Sequence, residues 1–188
     1  RDMERATTSV SPIINLHRIG ALDLLPQLFD QIWMPSVVLE DLLDARFLGY
    51  NVPSPFDLPW VEYHDPELTI PSVWISLDLS SGEVAAIALA FENKDCIVLI
   101  DEPIGRQAAA GVGIKYWGTL QILLEAKARG FIPSIIPYVK RLQQSGMFMS
   151  SEIVRRILRL AGEEDGGVGP LSLLMRDEPE VKKPEESK

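Results

Sequence analysis

The run Ile97-Val98-Leu99-Ile100 stops abruptly at Asp101-Glu102-Pro103. A short apolar run this rich in β-branched residues reads as a strand buried on both faces, and therefore as part of a parallel sheet. In open α/β sheets, ligands gather just beyond the carboxyl ends of the strands. Acids placed there face a crevice and are able to hold a divalent metal through oxygen. The same two acids also suit the start of an ordinary turn before Pro103. The rest of the chain has to separate these roles.

The flanking elements support the sheet. Thr7 to Val10 is a weak strand candidate. Ser11-Pro12 reads as a helix start, with Ser11 as N-cap and Pro12 at the first helical position. Ile13, Ile14, Leu16 and Ile19 follow, and Gly20 is placed to close that helix. Leu22 to Phe29 reads as a short helix in which Pro26 interrupts or restarts the pattern, Gln31 to Met34 as a strand, and Val37 to Leu43 as a helix. Residues 46–76 carry five prolines among aromatic residues and read as an extended insertion, with one strand at Trp60 to Tyr63. Helical spacing returns at Gly82 to Phe91. The strand Cys96 to Ile100, a helix near Gly105 to Ala110 and a strand at Ile114 to Trp117 follow. Three helices are then expected, over Thr119 to Arg129, Ile135 to Gln144 and Glu152 to Ala161. Strands alternating with helices imply a parallel sheet covered on both faces. The expectation is one α/β domain over residues 1–162, with 46–76 as an insertion within it. Residues 163–188 read as a charged, disordered tail.

Composition narrows the setting. No apolar run approaches the ~20 residues of a membrane span. The single cysteine, Cys96, lies in the central strand and reads as a small buried side chain, so no disulfide forms within the chain. The charged start, Arg1-Asp2-Met3-Glu4-Arg5, has no signal-peptide core behind it. A cytoplasmic protein with no membrane attachment is expected. Net charge is −9, which taken alone argues against nucleic acid. The charges are unevenly placed, however. Residues 36–102 hold thirteen acids and two bases, whereas residues 103–162 hold nine bases and two acids. Such asymmetry points to an interaction surface, although each single Lys or Arg is more ordinarily a solvated residue.

Several motifs in this order carry a family resemblance. They are Ser11-Pro12-Ile13-Ile14, then Ile19-Gly20-x-Leu22-x-Leu24-Leu25, then Pro35-x-x-Val38-x-Glu40. Next come Leu79-x-x-Gly82-Glu83-x-Ala85-Ala86-Ile87-Ala88-Leu89-Ala90 and Leu99-Ile100-Asp101-Glu102-x-x-Gly105-Arg106. The last are Gly118-Thr119-Leu120 and Leu123-Leu124-Glu125-Ala126-Lys127 before Gly130-x-Ile132-Pro133. From about Thr8 to Gly162 the chain resembles the PIN-domain superfamily of metal-dependent nucleases, and within it a PIN-like branch found beside toxin–antitoxin genes. The resemblance implies a three-layer α/β domain with a central, mostly parallel sheet flanked by helices. It implies three or four carboxylates in one crevice and one or two Mg²⁺ or Mn²⁺ ions. The metal lowers the pKa of a bound water, and the hydroxide attacks a phosphodiester in line. Carried over by position, Glu40, Glu83 and Asp101 are the catalytic and metal-binding acids, with Glu102 as a further ligand. Arg106 is placed to contact a phosphate, or to pair with Glu102 at (i, i+4).

Two positions depart from that pattern. Ser9 stands where the family places an Asp at the end of the first strand, and Ala85 stands where the branch has an acid two residues after Glu83. A hydroxyl is a poorer metal ligand than a carboxylate and brings no charge, so weakened metal binding is expected. Glu83 also completes a capping box with Ser80, and Glu40 borders the apolar face of its helix with Asp41 and Asp44 close by, a place that an ordinary solvated residue fits as well. His17 and His64 lack ligand spacing. Gly111-x-Gly113 follows a helix and precedes a strand, the wrong order for dinucleotide binding. A phospho-acceptor domain is disfavoured because no acidic pair follows the first strand.

Two functions remain. One is a metal-dependent endoribonuclease acting on single-stranded RNA, with a degenerate site and with basic helices tracking the backbone. The other is a catalytically inactive module on the same scaffold, binding RNA or a protein partner such as an antitoxin or an assembly subunit. A homodimer through Trp117 or the C-terminal helices is a further expectation.

Overall fold

Strand β4 (Cys96–Leu99) is buried at every residue. Its alternating side chains divide between two cores, with Ile97 and Leu99 in one and Cys96, Val98 and Ile100 in the other. That division makes the domain three-layered, because a strand has a period of two. In the computed structural model, which describes residues 4–67 and 78–164, five strands form one sheet in which every pairing is parallel. The others are β1 (Arg5–Thr8), β2 (Gln31–Met34), β3 (Val61–Tyr63) and β5 (Tyr116–Trp117), and the order across the sheet is β3-β2-β1-β4-β5.

The helices are α1 (Val10–Arg18), α2 (Leu24–Leu28), α3 (Ser36–Phe47), α4 (Ser81–Glu92), α5 (Pro103–Gly111), α6 (Thr119–Ala128), α7 (Ile136–Gln144) and α8 (Ser151–Leu160). The larger core joins Ile13 and Leu16 of α1, Leu25 of α2, Ile122 of α6, Val139 of α7 and Leu158 of α8 to one face of the sheet. The smaller core joins Val84 and Ile87 of α4 and Ala109 of α5 to the other. The buried Thr7 hydroxyl donates to the Ala86 carbonyl at 2.8 Å, fixing α4 over β1. The α/β architecture expected from the sequence is therefore present, and among the described strands it is wholly parallel.

The chain moves outward from β1 through β2 to β3, then returns to place β4 on the other side of β1. The strand order reverses between β1 and β4, and a crevice opens at the carboxyl ends of such a pair. Thr8 pairs with Leu99, so Ser9, Ile100 and Asp101 stand at the edge of that crevice.

Several boundaries differ from the sequence reading. The first helix begins at Val10, and its N-cap position is Ser9, not Ser11. The first strand correspondingly ends at Thr8, and the Ser9 N–H makes a last bond to the Leu99 carbonyl before the chain turns into α1. Pro26 does not interrupt α2. It is the third helical residue, where the missing N–H would have had no intrahelical partner. Helix α3 runs four residues past Leu43, and β5 is two residues rather than four. Glu163 does not begin a free tail. It accepts from the Ile135 N–H at 2.9 Å and from the Ser134 hydroxyl, and it pairs with Lys127 at 3.1 Å. Burial opposes its ionisation, yet these three donors together hold its carboxyl below the usual range. The expectations for residues 68–76 and 165–188 lie outside the described residues. Among the described residues no helix is long and apolar enough to cross a membrane.

Candidate site at the sheet switch point

Asp101 follows β4 and is held by three donors. Asn15 Nδ2 of α1 donates to Oδ2 at 2.8 Å. The Thr119 hydroxyl donates to the same oxygen at 2.8 Å, and the Thr119 N–H donates to Oδ1 at 2.7 Å. Helix α6 starts at Thr119 and its N-cap is Gly118, which has no side chain to cap it. Asp101 supplies the missing acceptor from another element, and its charge faces the positive end of the α6 dipole. A Cβ at Gly118 would lie 3.0 Å from Asp101 Oδ1, so a glycine there permits the close approach. One carboxylate thereby joins β4, α1 and α6. Neither Asn15 nor Thr119 stands out in the sequence as a site residue. The only signals for them in the sequence were the polar interruption of an apolar helix face and the Gly-Thr helix start.

Ser9 stands at the edge of the same crevice. It is 3% exposed, and its hydroxyl donates to the Leu99 carbonyl at 3.0 Å. Ala85 is buried within α4.

Glu83 sits in the first turn of α4 and completes the capping box. Its Oε1 accepts from the Ser80 N–H at 3.1 Å, and the Ser80 hydroxyl accepts from the Glu83 N–H at 3.2 Å. Its second oxygen, Oε2, is buried and has no hydrogen-bond partner among the described residues. That oxygen lies against α5, since a Cβ at Gly105 would come within 2.6 Å of it. An unpaired carboxylate oxygen in such a place is costly.

The other predicted acids are placed differently. Glu40 is exposed on the outer face of α3, and Glu102 is exposed at the N-cap of α5 without a side-chain cap bond. The α3 acid turned toward α4 is Asp41, whose Oδ2 would lie 2.9 Å from a Cβ at Gly82. Burial, then the charges of Asp44 and Glu40, push the Asp41 carboxyl above its ordinary range. Arg106 is half-buried on α5. Its Nη1 would be 3.8 Å from a Cβ at Gly118, and so it stands beside Asp101. Among the described residues it forms no ion pair, with Glu102 or with any other acid.

The basic segment is less available than its charge implies. Lys127 pairs with Glu163, Arg129 with Glu4 at 2.7 Å and Glu125 at 3.6 Å, and Arg159 with Glu164 at 2.9 Å. Arg141 donates to the Ile19 carbonyl at 3.2 Å.

A sequence-family model described as a PIN domain matches residues 7–163. The chain belongs to the PIN-domain family, whose fold is nuclease-like. No curated protein matches it. PIN domains generally use divalent metals. In this chain the donor set does not fit such an ion. Among the described residues no three His, Cys, Asp or Glu side chains group to hold a metal. Both oxygens of Asp101 already accept from N–H or O–H groups. Ser9 and Ala85 contribute no charge where the family has acids. A hard cation such as Mg²⁺ calls for several oxygen ligands converging on one point.

Proposed function

We propose that this PIN-domain protein is a non-hydrolytic module that binds single-stranded RNA at the switch-point crevice. The carrying observation is the state of Asp101, which accepts three hydrogen bonds from Asn15 and Thr119, while among the described residues no three His, Cys, Asp or Glu side chains group to hold a metal. Arg106 supports the choice of ligand. It is a guanidinium at the crevice mouth with no ion pair among the described residues, the residue type best suited to a phosphate. The Thr119 and Asn15 donors do the work of holding Asp101 rather than activating water. Expected behaviour is salt-dependent RNA binding in EDTA, weakened by Arg106→Glu, with no cleavage in Mn²⁺. Fluorescence anisotropy and a gel assay on the same RNA check both parts. Cutting by the wild type that disappears in a folded Asp101→Asn variant would overturn the proposal.

The hydrolytic reading has one observation in its favour, the orphaned Glu83 Oε2. A buried carboxyl oxygen with no hydrogen-bond partner among the described residues is open to a cation. If it serves a cation, Mn²⁺ raises the Tm of the wild type and leaves Glu83→Gln unchanged. The non-hydrolytic reading expects a shift in neither. It expects Ser9→Asp combined with Ala85→Glu to create one.

A further inference from the structure

Two groups of opposite charge meet the first turn of α5 at adjacent residues, and both lack a partner. Glu83 Oε2 is buried and accepts no hydrogen bond among the described residues. It rests against α5 at Gly105, where a Cβ would come within 2.6 Å of it. A glycine there admits the close approach. The capping box holds the other oxygen, so the carboxylate turns to water only by giving up the Ser80 N–H. The next residue along α5 is Arg106. It is half-buried and forms no ion pair or hydrogen bond among the described residues. Its Nη1 stands on the Gly118 side, beside Asp101.

The other acids of this region have weaker claims on the guanidinium. Both oxygens of Asp101 already accept from Asn15 and Thr119. Glu102, one turn before Arg106, is exposed, and an exposed ion pair gains little over water. Asp41 lies against Gly82 of α4 rather than against α5. A buried acceptor without a partner bears its whole desolvation cost, and pairing recovers it. We infer that Glu83 is an internal competitor for Arg106: in the ligand-free protein the guanidinium exchanges, by a change of rotamer, between the crevice mouth and Glu83 Oε2. The structure holds the first position. In the second, Arg106 no longer presents its charge to a phosphate at the mouth. The pair is a latch, and RNA binds the fraction of molecules in which it is open. The effect on RNA rests on the binding role proposed for the crevice, whereas the pairing itself does not.

Two measurements on the full chain test it, the first without RNA. The Arg106 Nε–H resonance in nitrogen-edited NMR spectra is identified by its absence from Arg106→Gln. It is expected to exchange slowly with water in the wild type and faster in Glu83→Gln. Glutamine still accepts from the Ser80 N–H, so the start of α4 is kept. The second is fluorescence anisotropy with single-stranded RNA in EDTA. Glu83→Gln is expected to bind about threefold more tightly, the gain from abolishing a latch closed in about two-thirds of molecules. On an Arg106→Gln background the same substitution is expected to change nothing, because no guanidinium is left to release. An equal gain on both backgrounds overturns the latch, since it reports only the loss of a negative charge. Unchanged affinity in Glu83→Gln overturns it as well, and so does an Arg106 exchange rate that is the same with and without the Glu83 carboxylate. RNA binding too weak to detect in the wild type and in Glu83→Gln sinks the role proposed for the crevice, and the exchange rates then decide the latch alone.

Discussion

Asp101, just after β4, and Glu83, at the start of α4, are both half-buried carboxylates, and their surroundings are opposite. Asp101 has both oxygens engaged by donors from two other elements. Glu83 has one oxygen engaged by its own helix start, and the other is buried without a partner among the described residues. The first carboxylate is an architectural joint. The second keeps an unspent acceptor. In a nuclease fold both positions would be read as metal ligands from sequence alone. The difference shows that an acid at the expected position is defined by what its oxygens already do.

The contrast is breakable first at Asp101. Asp101→Ala removes a charged acceptor from three donors and uncaps α6. A loss on the order of 3 kcal/mol is expected, read as a lowered urea midpoint with no dependence on metal. Gly118→Ala displaces the same carboxylate by steric pressure and is expected to cost about 1–2 kcal/mol. A midpoint unchanged in Gly118→Ala would show that Asp101 yields without losing its bonds, and that the joint is looser than its distances imply.

Glu83→Gln sharpens the other side. A glutamine carbonyl still accepts from the Ser80 N–H, so the capping box survives. What changes is the charge near the α4 N-terminus, an effect under about 1 kcal/mol. Thermal melts of this variant and of Asp101→Ala, compared at the same pH, are expected to differ severalfold in the shift from wild type. Equal shifts would erase the distinction between the two carboxylates.

The smallest effects are in pH. Asp41, which lies against Gly82 at the start of α4, has a raised carboxyl. The folded state therefore holds its proton more tightly than the unfolded chain. Its contribution to stability is present below the ordinary carboxylate value and is lost as pH rises through the raised one. Glu163, joined to Lys127, Ser134 and Ile135, is lowered. Its contribution is present above the ordinary value and is lost as pH falls through the lowered one. Urea midpoints measured across the acid range are expected to flatten on the alkaline side in Asp41→Asn and on the acid side in Glu163→Gln.

Most of the fold was legible in the chain. The run ending at Asp101, the Ser80–Glu83 capping box, and Gly20 and Gly162 at the ends of α1 and α8 all report local physics: periodicity, cap chemistry and left-handed backbone at φ 70° and 69°. The errors fell where a partner distant in sequence decides. Ser9 is held at the sheet edge by Leu99, ninety residues on, whose carbonyl accepts from both its N–H and its hydroxyl. The reach of Asn15 to Asp101 spans eighty-six residues. Neither is visible to a window of neighbours.

Local propensity and the order of apolar runs were sufficient to determine a parallel α/β domain and to place an acid at the end of its central strand, and the motifs along the chain carried the resemblance to the PIN family. Packing alone decided what that acid does. The crossover that sets β4 beside β1 brings Asn15 and Thr119 to Asp101 and leaves Glu83 half-satisfied. Hydrogen bonds form between groups that are close in space, and which groups are close is settled by the sheet order and the seating of α1 and α6.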